Sequence, residues 1–428
     1  MKTIKYPSTN SWTELVKRPA QSSIALDKVV EEVYQSVRKN GDKSLIEFTE
    51  IFDKVKLKNL RISEVELNRA EKNISSELKS AIALAAKNIS KFHKAQKQSI
   101  QKIETTKGVV CWREARAIER IGIYIPGGSA PLFSTVLMLG IPAKLAGCKE
   151  IILCSPPDKS GKINPVILYV AKLVGVTSVF SVGGIQAIAA LTFGTEIIPS
   201  VSKIFGPGNQ YVTAAKQRAQ NYGVAIDMPA GPSEVLIIAD KNAEAEFVAA
   251  DLLSQAEHGA DSQVVLLSTS EKMIAAIQNE IDRQLKKLPR KLIAQGALKN
   301  SFALLFRNES ECMQFSNLYA PEHLILATES AEKLSKKVVN AGSVFIGNYS
   351  CESAGDYASG TNHTLPTNGY ARNYSGVSLD SFIRQITFQK ISKKGIKNIG
   401  PAIEKMAEAE QLFAHKNAVS VRLKKLKK

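Results

Sequence analysis

Long apolar runs are missing from this sequence. No stretch approaches the ~18 consecutive apolar residues that a membrane span requires. The longest candidate, Val174 to Ala190, is broken by Gly175, Gly183 and Gly184. The opening Met-Lys-Thr-Ile-Lys-Tyr-Pro has no apolar signal core, so a soluble cytoplasmic protein is expected rather than a secreted one. Cysteine is also sparse. Its five copies (Cys111, Cys148, Cys154, Cys312 and Cys351) are odd in number and include no Cys-x-x-Cys pair. That spacing excludes a zinc ribbon and argues against a disulfide framework. Acidic residues, 40 against 57 Lys and Arg, leave a net charge of +17. The lysines, however, are spread along the chain, with their densest clusters at Lys390–Lys397 and in the tail from Arg422. No recognition-helix, aromatic RNA-binding or zinc-finger pattern accompanies them, so the charge is read as solubility and no nucleic-acid partner is expected.

What is present is an ordinary globular composition, 44% hydrophobic over 428 residues, long enough for about two to four folding units. The first hundred residues read helical. Ser63-Glu-Val-Glu66 forms a capping box, and an amphipathic stretch from about Ser75 to Lys97 places His93 on its polar side, where it is expected to be solvated. From Ile121 short β-rich runs alternate with helical segments: Ile121–Ile125, Glu150–Cys154, Ser178–Val182, Lys203–Phe205, Val224–Ile226 and Glu234–Ala239. Further strands are expected near Gln263–Leu267, Phe302–Phe306, His323–Ala327 and Ser343–Ile346. Crossovers of that length imply an α/β fold with a largely parallel sheet. Gly347 to Asn373, rich in Gly, Ser, Asn and Thr, reads as a long functional loop. A terminal helix from about Pro401 to His415 follows, with Pro401 suited to its first turn.

Three strand ends carry glycines: Tyr124-Ile-Pro-Gly-Gly128, Val182-Gly-Gly-Ile-Gln186 and Phe205-Gly-Pro-Gly-Asn209. Glycine there lets backbone amides approach a phosphate at a helix start. None matches Gly-x-Gly-x-x-Gly, and plain turn chemistry explains each one singly; three together tilt the reading toward a nucleotide-type cofactor.

Histidine, with five copies, is rare enough for its placement to inform. His258, His323, His363 and His415 all fall in polar, turn-flanked motifs. Asn242 and Gly259 bracket an expected helix that puts Gln255 and His258 on one face near its end, either as surface residues or as the start of a metal site. Asp356 and His363 lie in the long loop, and Glu410 and His415 at a helix end. Scattered donors of this kind can assemble one metal centre. Pro321-Glu322-His323 sets a carboxylate beside an imidazole just before a strand, a pairing suited to proton transfer near neutral pH. A cysteine nucleophile is the rival chemistry, but no cysteine has an obvious base beside it in the sequence.

Taken together, these motifs resemble the histidinol dehydrogenase family from about Ala25 to Leu423. The matching strings are Ile121-Gly-Ile-Tyr-Ile-Pro-Gly-Gly-Ser-Ala-Pro-Leu-Phe-Ser-Thr-Val-Leu-Met-Leu, Lys203-Ile-Phe-Gly-Pro-Gly-Asn, Ala230-Gly-Pro-Ser-Glu, Ala320-Pro-Glu-His and Ala414-His-Lys-Asn-Ala. The resemblance implies oxidation of L-histidinol to L-histidine through bound L-histidinaldehyde, with NAD⁺ as oxidant and one Zn²⁺ per site. It implies zinc ligands Gln255, His258, Asp356 and His415, and an acid–base pair Glu322 and His323. Ser233, His363 and Glu410 would join those ligands and His323 in binding substrate, and Tyr124, Gln186 and Asn209 would contact NAD⁺. The implied fold is two incomplete Rossmann-like domains, aldehyde-dehydrogenase-like, with a helical N-terminal region and small C-terminal segments. The corresponding boundaries are 1–120 for the N-terminal helical part, 121–234 for the NAD-binding domain and 235–376 for the part with the metal and acid–base motifs. Residues 377–428 would then cross to the partner of a homodimer with shared active sites.

Overall fold

The computed structural model describes residues 1–18, 23–127 and 131–427. Among them the chain divides into two compact units, one of residues 1–95 with 118–381 and one of residues 96–117 with 382–428. The first unit holds two parallel sheets. One runs, edge to edge, Ser178–Ser181, Glu150–Ser155, Arg120–Tyr124, Lys203–Phe205 and Ala225–Ile226. In chain order that is 3-2-1-4-5, which puts the topological switch at the Arg120 strand. The second sheet repeats the order with Phe302–Leu305, Gln263–Ser268, Glu234–Ala239, His323–Ala327 and Ser343–Ile346. Lys2–Lys5 adds a sixth parallel strand beside Phe302–Leu305.

Burial on both faces explains why these strands lack clean apolar–polar alternation. All six residues of Glu234–Ala239 are buried. Val235, Ile237 and Ala239 join the core on one face of the sheet, and Leu236 and Ile238 the core on the other. In the first sheet Ile152, Cys154, Phe180 and Ile204 pack with Val30, Val33, Tyr34 and Leu45 from the N-terminal helices. Those helices therefore belong to the first sheet's layer, while the N-terminal strand belongs to the second sheet.

The second unit is an antiparallel sheet of Ile383–Ile391, Val109–Ala117 and Ile103–Thr106. Two mutually packed helices, Lys393–Ala409 and Phe413–Lys425, complete it. Residues 96–117 thus leave the expected 1–120 segment and pair with the end of the chain. No helix of the described residues is long and apolar enough to cross a membrane.

Several local expectations change. The Ser63 capping box is present, but His93 is fully buried rather than solvated. Its helix, Ser76–Lys94, packs on Phe133–Ala146. The ring is satisfied there, with Nδ1 2.9 Å from the Ile89 carbonyl and Nε2 3.4 Å from the Asn362 amide. Asn242 does not cap the next helix, which starts later, at Ala245, with Glu244 before it. Gly259 lies beyond that helix, which ends at Ala256. Pro401 sits inside a helix that begins at Lys393 under a Ser392 cap, and the expected 401–415 helix is broken at Gln411, whose φ is +59°. The 347–373 tract is not all loop, because Glu352–Tyr357 forms a short helix.

Candidate active site

The two sheets place functional groups at opposite ends of their strands. In the first sheet the glycine-bearing turns all lie at the carboxyl ends, around the switch point where open α/β sheets take nucleotides. Tyr124 closes the Arg120 strand and is buried, and its hydroxyl accepts from the Gly184 N–H at 3.1 Å. Burial pushes that phenol well above its ordinary pKa. Gln186, in the first turn of Gly184–Phe193, is 1% exposed, and its Oε1 lacks a hydrogen-bond partner. Asn209 caps Gln210–Ala219, its Oδ1 accepting from Tyr211 and Val212 N–H at 3.1 Å each. Gly206 is held by Asp227 through its N–H and by Lys216 through its carbonyl, each at 2.8 Å. A Cβ there would collide with the Tyr124 carbonyl, and φ is +122°, so glycine is required. Gly128 of the first turn lies outside the described residues.

In the second sheet the chemistry lies at the amino ends, where Glu234 and His323 begin adjacent parallel strands. The backbone of Glu234 faces the acid–base pair: its N–H donates to Glu322 Oε2 at 2.8 Å, and its carbonyl lies 3.2 Å from His323 Nδ1. The Gln255 amide also lies 3.4 Å from Nδ1, but the nearer carbonyl only accepts and the Glu322 carboxylate is 3.6 Å away, so the neutral imidazole carries its proton on Nδ1 and leaves Nε2 as the basic nitrogen. His323 Nε2 is buried without a hydrogen-bond partner, 3.7 Å from Asp356 Oδ1. Gln255, in the last turn of Ala245–Ala256, directs Nε2 to Glu322 at 3.3 Å, and its Oε1 is buried and unpartnered.

Glu352 and Asp356 are four apart on the short 352–357 helix, so they share a face. Atoms of His258, Glu352 and Asp356 lie within 4.8 Å of one another. Glu352 is 1% exposed, and one of its oxygens is unpartnered. Glu352 is absent from the residues expected from sequence; its one local signal is the i, i+4 spacing to Asp356, which is visible only if the tract is helical. His363 reaches the same group, with Nδ1 2.8 Å from the Asp356 carbonyl and 3.9 Å from its Oδ1, and Nε2 3.0 Å from Thr135 Oγ1. Ser233 immediately precedes the Glu234 strand and is half-buried. Glu410 and His415 are exposed and belong to the second unit.

The electrostatics follow from crowding acids and imidazoles out of water. Burial raises Glu352 well above the carboxylate range, and Asp356, Glu322 and Asp251 add to it. Burial likewise brings Asp251 up to about 6. For Asp356 burial pushes upward, but His323, His363 and His258 outweigh it and hold the pKa low. Burial alone would lower His323; the neighbouring Glu322 and Glu352 carboxylates and Asp356 raise it well above its usual value. Burial lowers His363. Orphaned oxygens on Gln255 and Glu352 beside His258 and Asp356 make a donor set that a divalent cation fits. Zinc–oxygen and zinc–nitrogen distances of about 2.0–2.2 Å let atoms this close converge on one ion.

Cys148 and Cys154 offer no competing nucleophile. Burial raises the Cys154 thiol strongly and lifts Cys148 to about 11, so neither is a thiolate near neutral pH. Replacing Cys111, Cys148 or Cys154 singly by Ala should leave turnover within about tenfold in folded protein, allowing for the stability loss of core truncation. A loss of about a thousandfold in a folded variant would restore the covalent thiol route.

The α/β fold of paired 3-2-1-4-5 sheets is similar to that of aldehyde dehydrogenases. A solved aldehyde dehydrogenase variant from Bacillus cereus superposes with a TM-score of 0.51 at 12% identity, covering 88% of this chain and 85% of that one. The histidinol dehydrogenase family model matches residues 16–423, and the chain belongs to that family of oxidoreductases. It is 59% identical to the histidinol dehydrogenase of Bacteroides thetaiotaomicron over the full length of both. The crystal structure of histidinol dehydrogenase from Elizabethkingia anophelis superposes with a TM-score of 0.98 at 64% identity, covering 100% of this chain and 99% of that one.

Proposed function

We propose that this chain oxidises L-histidinol to L-histidine through histidinaldehyde, the final steps of histidine biosynthesis, with NAD⁺ as oxidant and a bound zinc ion. The observation that carries the reading is the acid–base pair at the start of the His323 strand. One residue's backbone fixes both members, and an unpartnered imidazole nitrogen and an unpartnered amide oxygen lie beside a cluster of ligand-type groups.

His323 Nε2 accepts the hydroxyl proton of the alcohol as the carbinol carbon gives up hydride. Tyr124, Gln186 and Asn209 would hold NAD⁺ at the carboxyl ends of the first sheet's strands, where it would supply the hydride acceptor. Glu322 then takes a proton from the water that adds to the aldehyde, giving the hydrate. His323, once it has released the first proton to solvent, removes a second as the hydrate gives its hydride to a second NAD⁺, which leaves the carboxylate. Gln255, His258 and Asp356, with His415, would hold the zinc, which would supply Lewis-acid binding and orientation of the substrate. A cation among the carboxylates also offsets the field that raises His323, returning it toward the range in which a base works. Ser233, His363 and Glu410 supply polar contacts to a cationic, imidazole-bearing substrate. The test is product analysis: histidinol and NAD⁺ should give histidine and NADH, and no NADH from histidinol would refute the reading.

His415 and Glu410 are read as contributions from a second copy of the chain. Both are exposed on a separate terminal unit, and exchange of a terminal element is a low-cost way to build a symmetric dimer. Inactive His415→Ala and His258→Ala proteins, unfolded and refolded together, should therefore complement. Random mixing makes about half heterodimers, each with one intact site, so roughly a quarter of wild-type activity per chain should return. A mixture that stays inactive while heterodimers, isolated through a different affinity tag on each variant, are shown to form would place each site within one chain.

A further inference from the structure

Arg18 lies more than two hundred residues before Glu234, yet its guanidinium is the buried hub beneath the acid–base pair. Its Nε and Nη2 donate to Glu234 Oε1 and Oε2, each at 2.9 Å, with the two side chains 9% and 1% exposed. Nη2 also donates to the Tyr319 carbonyl at 2.9 Å, Nη1 donates to the Val16 carbonyl at 2.8 Å, and the guanidinium lies 3.5 Å from the centre of the Tyr319 ring. Tyr319 leads through Ala320, whose φ is +54°, into Pro321 and Glu322. One side chain therefore ties together the two segments that carry the site: the start of the Glu234 strand, whose N–H and carbonyl hold Glu322 and His323, and the turn that delivers Glu322. Glu234 is further fixed by the Asn368 N–H at 2.9 Å, and Tyr319 by its hydroxyl, which donates to Gln263 at 2.8 Å.

We propose that Arg18 and Glu234 form a positioning pair that fixes Glu322 and the Nδ1–H tautomer of His323 for both oxidations; the kinetic part of this rests on the reading given above. A planar, bidentate guanidinium suits the task, because a lysine ammonium can satisfy the charge but not the fork. Without Arg18, Glu234 becomes an unpaired buried carboxylate close to Glu322, so it must take a proton or move, and the backbone clamp moves with it. Displacement by about 1 Å is enough to cost about a hundredfold in rate.

The experiment compares Arg18→Met, Arg18→Lys, Glu234→Gln and the double variant Arg18→Met/Glu234→Gln, each checked for fold and zinc content. Arg18→Met should lower kcat about a hundredfold with KM within about threefold, slowing NADH release equally from histidinol and from histidinaldehyde. Arg18→Lys should restore part of kcat, and so should the double variant, since a neutral amide needs no cation. Should Arg18→Met not fold, the Lys and double variants give the same comparison. A second readout is independent of the substrate: in ¹⁵N-histidine-labelled protein the protected Nδ1–H signal of His323 should be present in wild type and lost or shifted in Arg18→Met. The inference is overturned if kcat stays within about twofold in folded variants, or if that signal is unchanged. Wild-type protein that gives no NADH from histidinol would overturn the functional reading, and the imidazole signal would still decide the positioning role.

Discussion

Glu322→Gln should slow the oxidation of histidinaldehyde by roughly a thousandfold, within the range that a positioned general base contributes, and should slow the oxidation of histidinol less. The substitution is nearly isosteric. The amide oxygen can still accept from the Glu234 N–H, which Glu322 Oε2 does at 2.8 Å, so the local backbone has no reason to move. What disappears is the capacity to take a proton from the attacking water, which only the aldehyde half requires. His323 serves both halves and keeps its Nδ1 contact with the Glu234 carbonyl; loss of the neighbouring Glu322 charge lowers its basicity in both halves alike. Single-turnover NADH release measured separately from the two substrates separates the halves. Equal slowing would refute this division of labour.

Stripping the metal should abolish turnover altogether, and adding Zn²⁺ should restore it. The reason lies in the charge balance of the cluster. Glu322, Glu352 and Asp356 converge with Asp251 nearby; burial raises Glu352 and Asp251, and the neighbouring carboxylates raise Glu352 further against the opposing pull of His323. A bound divalent ion relieves that repulsion and occupies the orphaned oxygens of Gln255 and Glu352. It should also stabilise the fold by mass action, about 4 kcal/mol at a free concentration a thousand times Kd. The stripped protein should therefore melt at a lower temperature, a readout independent of activity. Full activity in protein found metal-free by elemental analysis would remove zinc from the account.

Much of this was legible in the sequence because its physics is local. Strands buried on both faces announced themselves as short apolar runs, and the three glycine turns fall at carboxyl ends in one sheet, two of them on the strands that flank the switch point. Pro321-Glu322-His323 was read just before a strand, and His323 begins one. What was not legible depends on packing between distant segments. His93 sits on a helix amphipathic enough to suggest solvent, yet a second helix and Asn362 cover it. Glu352 was hidden because a six-residue helix in a Gly- and Ser-rich tract carries too few residues to show a period. Residues 96–117 looked continuous with the N-terminal helices, and only an antiparallel pairing with residues 383–391, remote in sequence, assigns them elsewhere. Arg18 carries no local motif at all; its role is defined by Glu234 and Tyr319.

The most direct measurement of the central claim is the stoichiometry of a single turnover. With enzyme in excess over L-histidinol and NAD⁺ saturating, two NADH should form per histidinol consumed, with histidine as the organic product and no free aldehyde. One NADH per histidinol with aldehyde released would contradict the account, because it would mean that Glu322 and His323 do not carry the second oxidation.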